Sequence, residues 1–358
     1  MARKLNVAQV VYDIGNIGGA ENVAINIANF ISKNNSSHII SLQSKYLKNN
    51  NITDVKYHSL SRDKGLLFLN LISLVIFVRK NNINILHAHN LKPLMLSIFS
   101  SFFIKGLKVI FHDHNSINKH QWGRFSRYIC KKYVDSWICV SKEIKISANT
   151  FVDKKKLYFV NNPVDTDKYY FNKNKKNNRC QRFALIANYR EEKNHGLLIE
   201  SLSKISIENL VIDCFGSYLS SSYGKSIIER VSKKEITEKI NLLSFSNQIH
   251  SLLDNYDVGL LVSKDEGLPI TLLEYMSKGL PVAVPDVGQC KEIVENANCG
   301  IVFKKNDVGS LSNAIIEIFD KKDKWRLWGR NGRKYVKENH SIGNFGNKIY
   351  DIYNPLRK

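Results

Sequence analysis

The stretch "DEGLPITLLEYMSKGLP", residues 265–281, sets two carboxylates, Glu266 and Glu274, around a glycine, a proline and an apolar run. "DVGLLVS" before it reads as a buried strand ending at Ser263, so "SKDEGLP" is the loop at that strand's carboxyl end. Pro269 suits the first turn of a helix, where its missing N–H costs nothing. Glu266 then stands on the loop rim, and Glu274 about one turn into the helix. The amides of Ile270 and Thr271 at the helix start, approached through Gly267 and Leu268, offer a site for phosphate oxygens. A carboxylate beside a phosphate is repelled by it, so its natural partner is a neutral group rich in hydroxyls. The pair points to a nucleotide sugar, with phosphates on the amides and one acid per sugar. The alternative is a solvated loop acid and a helix acid favoured by the macrodipole.

Other residues of chemical type fall at the ends of apolar runs. "VVYDIGNIGGAENVA" places Gly18 and Gly19 between a first strand and a first helix, without the GxGxxG spacing of a dinucleotide loop. "VIFHDHNS" carries His112 and His114 on alternate positions of one strand face, and "LHAHN" carries His87 and His89 in the same way. In "IANYREEKNH", Arg190 and Lys193 follow a strand where two cations could clamp a diphosphate, arginine as a fork and lysine as a point charge. A solvated loop is the bland alternative. "NPVDTDKYY" holds Asp165 and Asp167 at a spacing that binds manganese in some transferases, but it follows a strand and reads as a turn and helix cap. No other oxygen-ligand cluster accompanies it, so neither a metal nor a cofactor is expected.

The elements that must position these residues alternate short β-branched runs with amphipathic stretches, the pattern of βαβ units and parallel sheets. The alternation runs from "NVAQVVYD" to "KLYFVNN", breaks in a Lys/Asn-rich stretch, and restarts at "FALIAN". The fold class expected is α/β, with two Rossmann-like doubly wound domains facing across a cleft. The first domain is expected at 1–172, a linker at 173–182, the second domain at 183–338, and a terminal helix at 339–358 packing back on the first. Ligands in such sheets sit at the carboxyl ends of the strands.

With that frame, "EGLPITLLEYMSKGLPVAV" resembles the signature of the retaining GT-B glycosyltransferases of family four, and the resemblance extends from the "GGAE" loop to the terminal helices. It implies that Glu274 binds ribose hydroxyls and that Glu266 meets hydroxyls of the donor sugar near the reacting centre. It matches His114 to a histidine that contacts the donor sugar, and Gly18 and Gly19 to glycines near the donor phosphate and acceptor. Lys193 and Arg190 would hold the diphosphate, although relatives often carry the arginine where this chain has Asn188. Pro269 also departs from relatives that have glycine. The activity implied is transfer of a hexose or N-acetylhexosamine from a nucleotide sugar, UDP-linked by the commonest usage, to a lipid-linked saccharide. Same-face attack with the leaving phosphate as base is the family's favoured account. An epimerase or hydrolase on the same scaffold, or a basic nucleic-acid-binding protein, are the rival readings. Against the last, no recognition helix or RRM-like aromatic pattern is visible, so no nucleic-acid partner is expected.

The chain has 358 residues, 43% hydrophobic and 24% charged, as in soluble two-domain proteins. Its net charge of +21 is uneven. Residues 1–178 hold 27 Lys and Arg against 10 Asp and Glu, and the remainder hold 26 against 22. A basic, aromatic stretch at 119–137 reads as a helix, and "LMLSIFSSFFI" (94–104) is flanked by Lys92 and Lys105. These features point to an anionic membrane surface as a partner. The apolar segment 66–78 is too short to span a bilayer and is expected to be a buried helix. Six cysteines without ligand spacing suit reduced thiols, and no secretory signal is read at the start. The expected location is cytoplasmic, peripheral at the inner face of the membrane.

Overall fold

A computed structural model describes residues 4–15, 18–43, 55–60, 67–114, 123–169, 180–246 and 248–357. The chain divides into two compact units, Met1–Pro163 with Ile342–Lys358, and Val164–Ser341. The passage between units therefore lies earlier than residue 172. The expected linker, 173–182, falls mostly outside the described residues.

The first unit runs β1 (Asn6–Val11), α1 (Gly19–Ser32), β2 (Ser36–Ser41), β3 (Lys56–Ser59), α2 (Leu67–Lys80), β4 (Ile85–His89) and α3 (Leu91–Phe103). It continues through β5 (Lys108–Asp113), α4 (Arg124–Tyr133), β6 (Ser136–Cys139), α5 (Lys142–Ala148) and β7 (Leu157–Phe159). The second unit runs β8 (Gln181–Ile186), α6 (His195–Leu202), β9 (Leu210–Gly216), α7 (Ser222–Lys233), β10 (Ile240–Ser244), α8 (Ile249–Leu252) and β11 (Val258–Leu260). Then come α9 (Ile270–Ser277), β12 (Val282–Pro285), α10 (Cys290–Ala297), β13 (Gly300–Phe303), α11 (Val308–Asp320) and α12 (Trp325–Asn339). The last helix, α13 (Ile342–Tyr353), belongs to the first unit.

All strand pairs in both sheets are parallel. The first sheet is ordered β3-β2-β1-β4-β5-β6-β7 and the second β10-β9-β8-β11-β12-β13. Strand order reverses between β1 and β4 in one sheet and between β8 and β11 in the other, and there the helices diverge to opposite faces and leave room for a ligand. The strands are apolar almost throughout because helices cover both faces, and all five residues of β4 are buried.

Helix α9, which follows the Glu266 loop, is pinned from below. Gly259 lets the Tyr275 ring lie against β11, since a Cβ there would stand 2.3 Å from the ring. The Tyr275 hydroxyl then accepts a hydrogen bond from the Ile186 N–H at 2.7 Å, tying α9 to the end of β8. Helix α12 closes on the turn after α9, where a Cβ on Gly329 would meet the Gly279 carbonyl oxygen at 1.9 Å.

Three expectations need correction. Helix α2 is buried along one face only: Leu74 and Val78 enter the core, whereas Phe68, Leu69, Ile72 and Ile76 are exposed, because a segment apolar on every side carries no signal of which face the sheet takes. Among the described residues, the basic stretch at 119–137 is helical over Arg124–Tyr133, and it ends there because Trp137 enters β6 and is buried. Residues 119–122 of it lie outside the described residues. Strand β11 ends at Leu260 rather than Ser263, so the loop is longer than expected. The short strands β3 and β13 were not expected at all; β3, "KYHS", is a polar edge strand.

Candidate functional site

The reversal point of the second sheet gathers the acidic loop and the cationic loop. After β8 the chain passes Arg190 into a single 3-10 turn, Glu191–Lys193. After β11 it passes Ser263 into the Glu266 loop. Lys193 Nζ lies 2.5 Å from Glu266 Oε1, and the Ser263 hydroxyl donates to the same oxygen at 2.7 Å. The Lys264 N–H donates to the Glu192 carbonyl at 2.9 Å, so main chain and side chains join the two loops. The Glu266 side chain is only 13% exposed and that of Lys193 27%, so the pair is partly withdrawn from water.

Behind Glu266 stands Gly288, whose φ is +49°. A Cβ there would sit 1.9 Å from the Glu266 carbonyl oxygen, so only glycine fits. The next residue, Gln289, donates its N–H to the Gly267 carbonyl at 3.0 Å. Leu268 is buried and anchors the loop, Gly267 is exposed with open space around it, and Ile270 and Thr271 open α9 half-buried. The first N–H groups of that helix have no intrahelical acceptor.

Arg190 is not brought to this pair. It is exposed, its guanidinium lies 4.7 Å over the Tyr218 ring, and it stands 4.0 Å from the Glu192 carboxylate. Asn188 is a backbone clamp: its Oδ1 accepts from the Ser217 N–H at 3.0 Å, beside Gly216, where a Cβ would meet the Ala187 carbonyl oxygen at 2.1 Å.

Glu274 is half-buried on α9, and the Tyr169 hydroxyl donates to its Oε1 at 2.6 Å. Burial holds the Glu274 carboxyl above its usual range, against Tyr169 and Lys168, which pull it down. Tyr169 is held in turn by Arg333, whose Nη1 donates to the Tyr169 carbonyl at 2.8 Å. Asp165 makes the turn before it, accepting from the N–H groups of Asp167 and Lys168 at 3.1 and 2.9 Å.

In the first unit the reversal point holds a column of imidazoles. His87 and His89 on β4, His112 on β5 and His114 just beyond it stack with ring centroids 4.4 to 5.4 Å apart. They share one sheet face because Gln9 is in register with His87, and His89 with His112. His114 Nε2 is 2.9 Å from His89 Nδ1, and His89 Nε2 is 2.9 Å from Gln9 Oε1. Gln9 Nε2 donates to the Tyr353 hydroxyl at 3.2 Å, and that hydroxyl is 2.5 Å from His87 Nδ1. Burial lowers the proton affinity of all four, to about 3 for His114 and well below the usual histidine range for the others. On the neighbouring loop, Gly18 caps α1 and its N–H is taken by Glu21 Oε2 at 3.1 Å, while Gly19 opens the helix.

Among the described residues, His87, His89 and His112 are the group whose ligand atoms come close enough together, within 4.8 Å, to be weighed as a metal site. Their rings lie 15° to 29° from parallel, so the in-plane lone pairs run alongside one another rather than converge. Both nitrogens of His89 are already engaged, with His114 and Gln9. The column is a poor cradle for a metal without a change of rotamers.

Of the residues singled out in the sequence, the structure brings Lys193 and Glu266 together; their neighbours Ser263 and Gly288, and the partners Tyr169, Gln9 and Tyr353, were not singled out as site residues. Only Gly288, in "DVGQC", carried a local signal, that of a tight turn.

Two family profiles match the chain in succession: "Glycosyltransferase Family 4" over residues 17–168 and "Glycosyl transferases group 1" over residues 167–335. The UDP-Gal:alpha-D-GlcNAc-diphosphoundecaprenol alpha-1,3-galactosyltransferase of Escherichia coli is 25% identical over 306 residues, covering 79% of this chain and 78% of its own. The O-antigen biosynthesis glycosyltransferase WbnH, also from Escherichia coli, is 25% identical over 91% of this chain and 94% of its own. Among solved structures, a glycosyltransferase from Rickettsia africae superposes with a TM-score of 0.87 at 18% identity over 99% of both chains. Anabaena Alr3699/HepE in complex with UDP and glucose gives 0.84 at 15% identity, over 97% of this chain and 98% of its own.

The histidine column makes the first unit sensitive to acid. Its folded proton affinities lie below that of an unfolded histidine, near pH 6.5, so the unfolded chain binds more protons below that pH. The stabilisation is complete above about pH 6.5 and is lost as pH falls toward the folded values. The urea midpoint should therefore drop between pH 6.5 and 4.5, and His112→Phe should flatten the slope by up to about 1.4 kcal/mol per pH unit. An unchanged slope in that variant would mean His112 is charged in the folded protein.

Proposed function

We propose that this chain, which belongs to the group 1 glycosyltransferases of GT-B fold, moves a hexose or N-acetylhexosamine from a UDP-sugar to a lipid-linked saccharide. The setting is cell-surface polysaccharide synthesis, and the anomeric configuration is retained. The observation that carries this reading is the Lys193–Glu266 pair at the strand reversal, braced by Ser263 on the loop that runs into α9. Lys193 and the first amides of α9 take the charge that grows on the leaving diphosphate, stabilisation by donors already in place. Glu266 Oε1 is occupied by Lys193 and Ser263, which leaves Oε2 to accept from a hydroxyl of the transferred sugar. Glu274, one oxygen on Tyr169, accepts from the ribose. Gly267 and Leu268 shape the approach, Arg190 supplies a second cation when it leaves Tyr218, and Gly18 and Gly19 border the phosphate and acceptor. His114 meets the transferred sugar. The leaving phosphate takes the proton of the attacking hydroxyl on the same face, so no metal or covalent nucleophile is required. The UDP and lipid-linked parts of the reading rest on the UDP of the HepE complex and on the substrates named for the galactosyltransferase relative.

The acceptor class also accounts for the surface of the first unit. No helix among the described residues is long and apolar enough to cross a membrane. Instead α2 exposes Phe68, Leu69, Ile72 and Ile76, and the end of α3 exposes Phe102 and Phe103, with Arg79, Lys80 and Lys105 alongside. Arg79 donates to the Phe103 carbonyl at 2.8 Å, joining the two helices. Apolar side chains rimmed by cations suit the interface of an anionic bilayer, each cation contributing on the order of 1 kcal/mol. We place the protein at the inner face of the cytoplasmic membrane by this patch.

Two outcomes follow. Glu274→Ala should weaken UDP-sugar binding at least about tenfold, whereas Glu266→Gln should lower kcat about a hundredfold with donor affinity within about threefold; steady-state kinetics and calorimetry separate them, and equal effects would contradict the assignment. The full chain should co-sediment with anionic vesicles at low salt and much less with neutral ones, and Ile72→Asp with Ile76→Asp should abolish this without changing transfer to a soluble acceptor analogue. Undiminished vesicle binding by that double variant would remove α2 from the docking surface.

A further inference from the structure

Three of the four imidazoles of the column, His87, His89 and His114, are joined by a hydrogen-bonded chain that includes Tyr353 on the last helix of the protein, while His112 only stacks against them. Each link has one donor and one acceptor, so the orientation of a single group fixes all the others. Gln9 turns its carbonyl oxygen toward His89 Nε2 and its amide nitrogen toward the Tyr353 hydroxyl. The carbonyl can only accept, so His89 carries its proton on Nε2 and presents a lone pair at Nδ1. His114 Nε2 faces that lone pair and must be the donor. The Tyr353 hydroxyl accepts from Gln9 and gives its own proton to His87 Nδ1. The chain thus runs His114→His89→Gln9→Tyr353→His87, every donor pointing inward.

We propose that Tyr353 and Gln9 are positioning residues for His114: through His89 they hold it in the Nε2–H form, so that its Nδ1 meets the substrate as a hydrogen-bond acceptor. This rests on the reading above that His114 meets the transferred sugar. The consequence is selective. A neutral histidine with Nδ1 unprotonated accepts from a hydroxyl and can offer nothing to a group that only accepts, such as an ether or a carboxylate. Burial keeps all four rings neutral at neutral pH, so charge does not scramble the chain. Tyr353 is fully buried, as are Gln9, His87 and His89, so no water competes with these links. Helix α13 would then belong to the catalytic machinery as well as to the packing, although Gln9 and Tyr353 are 344 residues apart.

The direction of the chain is the testable content. If Gln9 were turned round, every link could still form, but His114 would accept from His89 and face the substrate with an N–H. Two-bond proton–nitrogen spectra of the full chain labelled with ¹⁵N-histidine distinguish these forms. Wild type should show His89 and His114 each as a single Nε2–H tautomer. Tyr353→Phe cuts Gln9 off from His87, whose tautomer the hydroxyl couples to the amide orientation, so both rings should become tautomer mixtures, with kcat lowered at least about tenfold and donor KM within about twofold. Gln9→Glu, whose oxygens only accept when the carboxyl is ionised, should keep the Nε2–H form of both rings in spectra recorded at high pH. A wild-type His114 protonated on Nδ1 overturns the proposal without need of any variant, as does Tyr353→Phe with wild-type tautomers and kcat. His114→Gln separates the two readings: full activity in that variant contradicts the role of His114 itself, whereas its inactivity beside an unaffected Tyr353→Phe contradicts only the relay.

Discussion

One carboxylate oxygen, Glu266 Oε1, receives both an ammonium and a hydroxyl, and the second unit is arranged to keep that junction in place. A partly buried carboxylate without a cation would lose much of its hydration with nothing in return, and a partly buried ammonium likewise. Each therefore fixes the other, and the loops that carry them come together at the one place where the sheet order reverses. The cost of removing either partner falls on the charge left behind, which is why this contact constrains the loops more than a surface ion pair would.

The surrounding structure supplies the tolerance such a junction needs. Gly288 allows the chain to pass against the Glu266 carbonyl, and Tyr275 holds the end of β8 to α9. The Tyr275 contact is buried, whereas Arg190, on the loop that carries Lys193, is exposed and rests on an aromatic ring. The contrast fits a division of labour in which the central charges are pre-set and a peripheral cation remains able to move. Pre-set charges need no reorganisation when negative charge grows on a leaving group, which is where electrostatic catalysis gains most.

How far the sequence revealed this depended on distance along the chain. Glu266 and Glu274 were legible because a strand, a proline and an apolar run within a short window say where each must sit. Lys193 was legible for the same reason, three residues after Arg190 behind an apolar strand. Tyr169 was not, because its partner Glu274 is 105 residues away and nothing in "DTDKYY" marks which tyrosine turns inward. The histidines announced themselves in alternate pairs, yet their link to Tyr353 depends on the last helix returning to the first unit. The two sheets were legible from alternation alone, since parallel strands buried on both faces are apolar throughout. The exposure of α2 was not, since uniform apolarity says nothing about which face is covered.

The role proposed for Lys193 is to act on the diphosphate rather than on the nucleoside or the loop alone. Calorimetric titration of wild type and Lys193→Gln with UDP and with uridine tests this directly. The substitution should weaken UDP at least about tenfold, equivalent to roughly 1.4 kcal/mol, while uridine binds both proteins equally at a temperature well below the melting of either. UDP affinity that is unaltered by Lys193→Gln, or a loss shared equally by UDP and uridine, would contradict it.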